Sequence, residues 1–128
     1  MDSLSPNTAI NRNYPKLLVL CTVSTGIDAI AEVHQRGYPI EALLGLSPES
    51  ANPQLISGYT DIQNFAEQID VKAYYSETYN LSSNADQALL TSLDFDLIWV
   101  CGWQRLVPAW LIAEASLGVL GSMAVLMV

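Results

Sequence analysis

The chain has 128 residues, which is enough for one domain of ordinary size and too few for two. Hydrophobic residues make up 51% of it, so the composition allows a compact core. Five basic residues stand against 13 acidic ones, and the formal net charge is −8. This balance excludes a general nucleic-acid or anionic-membrane surface, because such a surface needs clustered lysine and arginine. No apolar run reaches the ~18 residues that cross a bilayer, and the polar lead lacks the apolar stretch of a signal peptide.

Strands and helices are predicted to alternate along the chain. Residues 1–15 are predicted to be a disordered lead, and residues 16–128 a partial α/β domain. Short apolar runs predict strands at 16–21, 40–46, 71–75, 94–101 and 117–121. Apolar residues at helical spacing predict helices at 27–35, 62–69, 85–93 and 108–115. The segment 47–60, rich in Pro, Ser, Asn and Gly, is predicted to be a long loop.

This alternation contains no hairpin signal, and it predicts an α/β fold. We expect a Rossmann-like, open, mostly parallel sheet of about five strands with helices on both faces. Ligands of such sheets bind at the carboxyl ends of the strands, near the point where the strand order reverses. The segments expected at that edge are 22–26, 47–60 and 101–107.

The cysteines and the single histidine restrict the chemistry. Cys21 and Cys101 each close an apolar run, where a small buried hydrophobic residue is the expected role. Two cysteines do not make a disulfide framework, so a reducing, cytoplasmic location is predicted. His34 lies mid-helix, away from the expected site, which removes histidine-based triads and most zinc sites. We predict no metal.

The segment CTVSTG follows the first predicted strand, where a Rossmann protein carries its glycine-rich phosphate loop. Only Gly26 is present, so both GxGxxG and the P-loop pattern are absent. Ser24, Thr25 and the backbone at the helix start offer donors to an anion. The alternative is that Ser24 or Thr25 caps the helix.

The segment DLIWVCGWQRLVPAWLI contains the most distinctive local pattern, because the apolar strand ends in Gly102, Trp103, Gln104 and Arg105. Glycine allows close approach to the backbone, the indole offers a flat surface for a heterocycle, and the amide offers a donor and an acceptor. The guanidinium can bind a carboxylate or phosphate through two hydrogen bonds. The alternative is that Trp103 and Leu106 cap the core while Arg105 is solvated.

This segment, followed by LGVLGS, resembles the N-terminal domain of the folate-dependent formyltransferases. The family includes methionyl-tRNA, glycinamide-ribonucleotide and sugar-nucleotide formyltransferases. The resemblance extends from Lys16 to about Ser122, and it includes YPIEALLGLSP and VKAYYSETYNLSSNADQALLTSLDFD. The GWQRL and SGYTD segments look most similar to the sugar or small-amine branch of the family.

The resemblance implies a co-substrate, 10-formyltetrahydrofolate, bound at the tip of the fourth strand. It also implies transfer of the formyl group to an amine, with an amine on a sugar nucleotide as one candidate acceptor. The residues implied to line the pterin pocket are Val100, Cys101, Gly102, Trp103, Gln104, Arg105 and Leu106. The residues implied to face the amine acceptor are Thr22, Ser24, Thr25 and Gly26.

The family's catalytic residues are an Asn, a His and an Asp, which stabilise the oxyanion and move protons. The Asn position holds Gly121, the His position holds Met123, and the Asp position lies beyond Val128. No catalytic residue is therefore carried over, and we expect this chain to be catalytically incompetent. The apolar end after Ser122 resembles a truncated or frame-shifted sequence, which predicts an incomplete sheet and self-association through its exposed edge.

A second hypothesis is a non-catalytic, Rossmann-like ligand-binding or interaction module. A nucleotide-binding oxidoreductase fragment is disfavoured, because the glycine fingerprint is missing.

Overall fold

The computed structural model describes residues 14–121, so most of the predicted lead, as well as Met123, lies outside the described residues. It contains the five predicted strands: β1 (Leu17–Leu20), β2 (Ala42–Leu46), β3 (Lys72–Ser76), β4 (Leu97–Val100) and β5 (Gly118–Gly121). The helices are α1 (Ser24–Gln35), α2 (Pro48–Ala51), α3 (Gln63–Ile69), α4 (Asn84–Ser92) and α5 (Ala109–Glu114), with a 3-10 helix at Asn52–Gln54.

The five strands form one sheet in the order β3-β2-β1-β4-β5, and all neighbours are parallel. Strand β1 is central, with Leu20 paired to Leu44 on one side and to Val100 on the other. The chain moves outward from β1 to β3 and then returns to the opposite side of β1 to form β4. The strand order therefore reverses between β1 and β4, and the predicted Rossmann-like fold is confirmed.

Strand β1 carries apolar side chains on both faces, as its unbroken apolar run predicts. Leu18 and Leu20 belong to a core cluster that includes Leu90 of α4 and Leu111 of α5. The alternate residues of β1 belong to a second cluster, which includes Ile30 of α1 and Phe65 of α3. Each face of the sheet is thus covered by helices, and a strand buried on both faces has no polar side.

Helix α4 differs from the prediction in the residues that it buries. The helical spacing over 85–93 predicts that Ala85, Ala88, Leu89 and Leu93 face the core; the two leucines pack against it, but the two alanines are exposed. The buried residues of this helix are Asp86 and Leu90. The alanines carry little apolar area, whereas the Asp86 carboxylate accepts hydrogen bonds from the backbone N–H groups of Glu77 and Thr78, which compensates for its burial.

The predicted long loop 47–60 contains regular structure, so that prediction is partly wrong. The hydroxyl oxygen of Ser47 accepts a hydrogen bond from the backbone N–H of Ser50, and Pro48 occupies the first position of α2. A serine cap followed by proline is a helix start signal. The helix is only one turn long, and the chain continues into the 3-10 helix at Asn52–Gln54.

The α1 face of the sheet is less well covered over β4 and β5 than over the other strands. An apolar hollow of about 240 Å³ lies there. Its lining residues are Leu17, Val33, Tyr38, Leu97, Trp99 and Leu120. Strand β5 has no further strand beside it within residues 14–121, and Leu120 is exposed. Among the helices of that range, none has the length and apolar character needed to span a membrane.

Candidate functional site

The ends of β1 and β4 meet at the point where the strand order reverses, and the chain's own backbone closes this point. The backbone N–H of Thr22 donates to the carbonyl oxygen of Gly102 at 2.8 Å. The Thr22 hydroxyl donates to the same oxygen at 2.9 Å. Both residues are buried, so no open crevice lies between the two strand tips. Any ligand must therefore bind beside this junction.

Two glycines allow the start of α1 to pack against the tip of β4. A Cβ atom on Gly26 would lie 2.3 Å from the carbonyl oxygen of Cys101. Gly102 has a φ of +90°, and a Cβ atom there would lie 2.7 Å from Cγ2 of Val23. Side chains at these positions would separate α1 from the strand tip, so the glycines serve close packing.

The predicted acceptor-binding residues divide into two groups. Thr22 and Gly26 are buried, whereas Ser24 and Thr25 are exposed in the first turn of α1. The cap of α1 is Val23, which has no side-chain hydrogen bond, so the alternative of a serine or threonine cap is wrong. The role of Ser24 and Thr25 in binding an acceptor stays a prediction.

The backbone at the start of α1 is partly engaged by the segment before α3. The N–H of Ser24 donates to the carbonyl oxygen of Gly58 at 3.1 Å. The N–H of Thr60 donates to the carbonyl oxygen of Thr22 at 2.9 Å, and Val23 forms an antiparallel bridge with Tyr59. The N–H of Gly26 also donates to the carbonyl oxygen of Val23 at 3.1 Å, so two of the N–H groups that this helix start could offer to an anion are already paired.

Trp103 lies in the core, with an exposed fraction of 0%. Its indole packs edge-on against the ring of Tyr79, with the ring centroids 5.0 Å apart. The prediction that this indole offers a flat surface to a heterocycle is therefore wrong, because a large apolar ring at a strand tip gains more by burial in the domain. The indole Nε1 atom is buried without a hydrogen-bond partner among the described residues.

The other residues that were predicted to line the pterin pocket differ in their burial. Val100, Cys101 and Gly102 are buried, whereas Gln104, Arg105 and Leu106 are exposed. Within residues 14–121, the backbone N–H groups of Leu106 and Val107 donate to no acceptor. The Leu106 side chain is 60% exposed. The segment from Arg105 to Val107 therefore presents an open backbone edge beside an apolar side chain.

Arg105 borders a polar cleft of about 480 Å³ at the carboxyl edge of the sheet. The residues lining the cleft are Ser50, Pro53, Gln54, Glu77, Thr78, Tyr79, Asn80, Ser82 and Arg105. The guanidinium donates to the carbonyl oxygen of Gln104 at 2.9 Å and to Oε1 of Gln54 at 3.0 Å. It lies 4.6 Å from the centroid of the Tyr79 ring. No carboxylate pairs with it in the described part of the chain, so its charge is available to an anion.

Tyr79, which no sequence pattern identified as a site residue, contacts both strand tips. Its hydroxyl lies 3.0 Å from Oγ1 of Thr22 and accepts a hydrogen bond from the backbone N–H of Gln104 at 2.9 Å. The available signal was its position, since the polar stretch ETYNLSS directly follows β3 and must lie at the carboxyl edge. The buried carboxylate of Asp86 holds the first part of this stretch through Glu77 and Thr78.

The two cysteines do not form a reactive pair. Both thiols are buried, and no disulfide joins them. Burial raises the pKa of the Cys21 thiol to about 12, so it stays protonated at neutral pH. No group of three or more His, Cys, Asp or Glu side chains among residues 14–121 is arranged to hold a metal ion.

Solved structures with a similar fold include two formyltransferases. Glycinamide ribonucleotide transformylase 1 from Symbiobacterium toebii is 17% identical, with a TM-score of 0.59, over 84% of this chain and 50% of that one. Phosphoribosylglycinamide formyltransferase from Streptococcus pneumoniae TIGR4 is 20% identical, with a TM-score of 0.59, over 84% of this chain and 56% of that one. The chain thus spans about half the length of these proteins.

No protein-family model and no curated protein sequence matches the chain. At identities of 17% and 20%, these structural matches show the fold alone. The predicted resemblance to the formyltransferases is confirmed at the level of the fold.

Proposed function

We propose that the chain binds 10-formyltetrahydrofolate at the carboxyl edge of the sheet, beside β4, as the co-substrate of formyl transfer to an amine. The observation that carries this proposal is the Arg105 guanidinium, which has no carboxylate partner in the described part of the chain and lies next to an open backbone edge. The fold shared with two formyltransferases supports it.

The backbone edge and the Arg105 guanidinium fit opposite ends of a folate. A pterin ring carries donors and acceptors along one edge, and the backbone of Arg105–Val107 offers groups that can pair with them. The glutamate end carries carboxylates, which a guanidinium binds strongly. Leu106 adds exposed apolar surface beside the backbone edge. Since Trp103 is in the core, stacking on its indole has no part in this proposal.

We propose further that the chain binds this co-substrate without transferring its formyl group. Gly121 ends β5 and pairs with Val100 at the end of β4, so it lies at the edge where the reaction is expected. A glycine there has no side-chain donor for an oxyanion, and the Met123 thioether has none either. The loss of one such donor costs about 2.7–4 kcal/mol of transition-state stabilisation.

The experiment that tests the proposal is calorimetric titration of the purified chain with 5-formyltetrahydrofolate, a stable analogue. We expect a dissociation constant in the micromolar range for the wild type. Arg105→Gln should weaken binding roughly tenfold or more, because it removes a charge-assisted contact. Arg36→Gln is the matched control, since Arg36 directly follows α1 and pairs with Glu32. Absence of binding by a folded chain would overturn the proposal.

The catalytic part needs its own assay. Mixing the chain with 10-formyltetrahydrofolate and candidate amines, including an amino-sugar nucleotide, should give no loss of the formyl group above the rate without protein. Turnover that depends on the chain would show that residues other than those of the family pattern perform the transfer.

We propose that Ser24 and Thr25, both exposed, face an amine acceptor such as an amino-sugar nucleotide. We propose also that the protein is cytoplasmic. We also propose that copies of the chain associate through β5, whose outer edge has no neighbouring strand among the described residues. Light scattering should then give a mass above 14.0 kDa that falls when Leu120 is replaced by lysine. A monomeric wild type would overturn this last proposal.

A further inference from the structure

Tyr79 belongs to a chain of hydrogen bonds whose direction can be determined. The Thr22 hydroxyl has one proton, and it donates this proton to the carbonyl oxygen of Gly102 at 2.9 Å. The Tyr79 hydroxyl, 3.0 Å from Oγ1 of Thr22, must therefore be the donor in that pair. Its oxygen is left to accept the hydrogen bond from the backbone N–H of Gln104 at 2.9 Å. The order is Gln104 to Tyr79 to Thr22 to Gly102.

This chain connects three segments in a buried setting. Thr22 has an exposed fraction of 0% and Tyr79 one of 3%, so water does not readily replace a missing partner. The hydrogen bonds hold the backbone of Gln104 at a fixed distance from the tip of β1. The residue that follows Gln104 is Arg105, so the Tyr79 hydroxyl sets where the open segment Arg105–Val107 begins.

The ring of Tyr79 has a separate role. The Arg105 guanidinium lies over it, with Cζ 4.6 Å from the ring centroid, and cations are attracted to the face of an aromatic ring. The same ring also packs against the indole of Trp103, with an interplanar angle of 71°. The hydroxyl therefore fixes the backbone before Arg105, while the ring fixes the charge that Arg105 presents.

We infer that Tyr79 is the positioning residue of the folate site, with a hydroxyl that aligns the backbone edge for the pterin and a ring that orients Arg105 for the carboxylates. The inference rests on the proposed function, because it names which part of Tyr79 serves each end of that ligand. No contact between Tyr79 itself and the ligand is required.

Two ligands and two variants separate these roles. The ligands are 5-formyltetrahydrofolate, which has both ends, and p-aminobenzoylglutamate, which lacks the pterin. Tyr79→Phe removes the hydroxyl and keeps the ring, whereas Tyr79→Leu removes both. Tyr74→Phe is the matched control, since Tyr74 lies half-buried in β3, the strand that precedes Tyr79 in the chain.

The expected results differ between the ligands. Tyr79→Phe should weaken the binding of 5-formyltetrahydrofolate roughly tenfold, which is the effect of losing one hydrogen bond. The dissociation constant for p-aminobenzoylglutamate should stay within about twofold of the wild-type value. Tyr79→Leu should weaken both, and Tyr74→Phe neither. An equal loss of both ligands in Tyr79→Phe, or no loss of either, would overturn the division of roles.

Amide hydrogen exchange without ligand distinguishes failure of this inference from failure of the proposed function. The Gln104 amide should be protected in the wild type and exchange roughly tenfold faster in Tyr79→Phe, with no change in Tyr74→Phe. If the wild type binds no folate, the proposed function fails, and the exchange result still decides whether Tyr79 positions the segment. Unchanged exchange at Gln104 would overturn the inference with or without folate binding.

Discussion

Gly26 of α1 lies so close to Cys101 that a Cβ atom would meet the Cys101 carbonyl oxygen at 2.3 Å. The same Cβ atom would lie 2.7 Å from Sγ of Cys21. Neither neighbour can move easily, because the backbone N–H of Cys101, directly after β4, donates to the carbonyl oxygen of Leu20 in β1, and the Cys21 side chain is buried. The absence of a side chain at Gly26 is thus what allows helix and strand tip to meet.

Gly26→Ala should lower the free energy of unfolding by about 3 kcal/mol, because overpacking against backbone cannot be relieved by rotating a side chain. A decrease in the free energy of unfolding is informative, since alanine normally stabilises a helix interior relative to glycine by roughly 0.5–1 kcal/mol. Urea denaturation followed by circular dichroism measures the change. Ser24→Ala, an exposed change in the same helical turn, should stay within about 0.5 kcal/mol of the wild type.

A stabilising effect of Gly26→Ala would contradict this packing. The strand tip would then have to be able to move away from α1, and the closed junction between Thr22 and Gly102 would not be rigid.

Trp103 should behave as a core residue with one unsatisfied polar atom. Trp103→Ala should destabilise the fold by about 3–5 kcal/mol, as for other large aromatic residues in cores. Trp103→Phe should lower the free energy of unfolding by no more than about 1 kcal/mol. The lost packing is offset because the variant no longer buries an unpaired N–H, which destabilises the fold by roughly 1–3 kcal/mol. Urea denaturation of the two variants and the wild type gives both values.

Comparing the stabilities of the two variants isolates the contribution of the indole N–H. A cost for Trp103→Phe that approaches the cost for Trp103→Ala would show that Nε1 has a partner in solution, such as a buried water molecule.

The fold was predictable because each element carries its own local signal. The unbroken apolar run of β1, the spacing of Ile27 and Ile30 in α1, and the serine cap at Ser83 each identify one element without reference to the others. Their alternation then restricts the topology to a parallel sheet. The errors fall on short elements such as α2, where one turn of helix has little periodicity to detect.

The site was less predictable, because composition does not reveal which way a side chain points. Trp103 and Arg105 are two residues apart at the same strand tip, yet the structure buries the first and exposes the second. Tyr79 reaches the site from a loop more than 20 residues earlier in the sequence, and its contacts with Thr22 and Gln104 are long-range. Such contacts depend on the assembled sheet.

Asp86 should be necessary for the shape of the polar cleft. Its carboxylate accepts hydrogen bonds from the backbone N–H of Glu77 at 2.5 Å, from the backbone N–H of Thr78 at 3.1 Å and from the Thr78 hydroxyl at 2.6 Å. Asp86→Asn places an amide donor against these donors. We expect a loss of about 2–3 kcal/mol of stability and faster amide exchange over residues 77–83.

Asp28→Asn is the control for Asp86→Asn, since it makes the same chemical change at an exposed position of α1. It should leave stability within about 0.5 kcal/mol of the wild type. Equal effects of the two changes would mean that loss of negative charge, and not loss of the buried contacts, determines stability in this acidic chain.

The Cys21 thiol links stability to alkaline pH. Its pKa is raised from an ordinary value of 9.0 to about 12 in the folded chain, chiefly by burial. The folded state therefore keeps a proton that the unfolded state releases above about pH 9, so this contribution to stability is complete below pH 9 and is lost as the pH rises toward 12. Free energies of unfolding from urea denaturation should fall across this range, and the part due to this thiol should disappear in Cys21→Ala.

Thiol labelling at a single pH checks the burial of the Cys21 side chain. In a Cys101→Ala background, where Cys21 is the remaining cysteine, a disulfide reagent at about pH 8 should react only as fast as the chain opens. The same protein in denaturing urea should react at once, because the thiol is then exposed and partly ionised. Rapid labelling of the folded protein would show that the junction between α1 and the tip of β1 opens readily, which contradicts the close packing of Gly26 against Cys21.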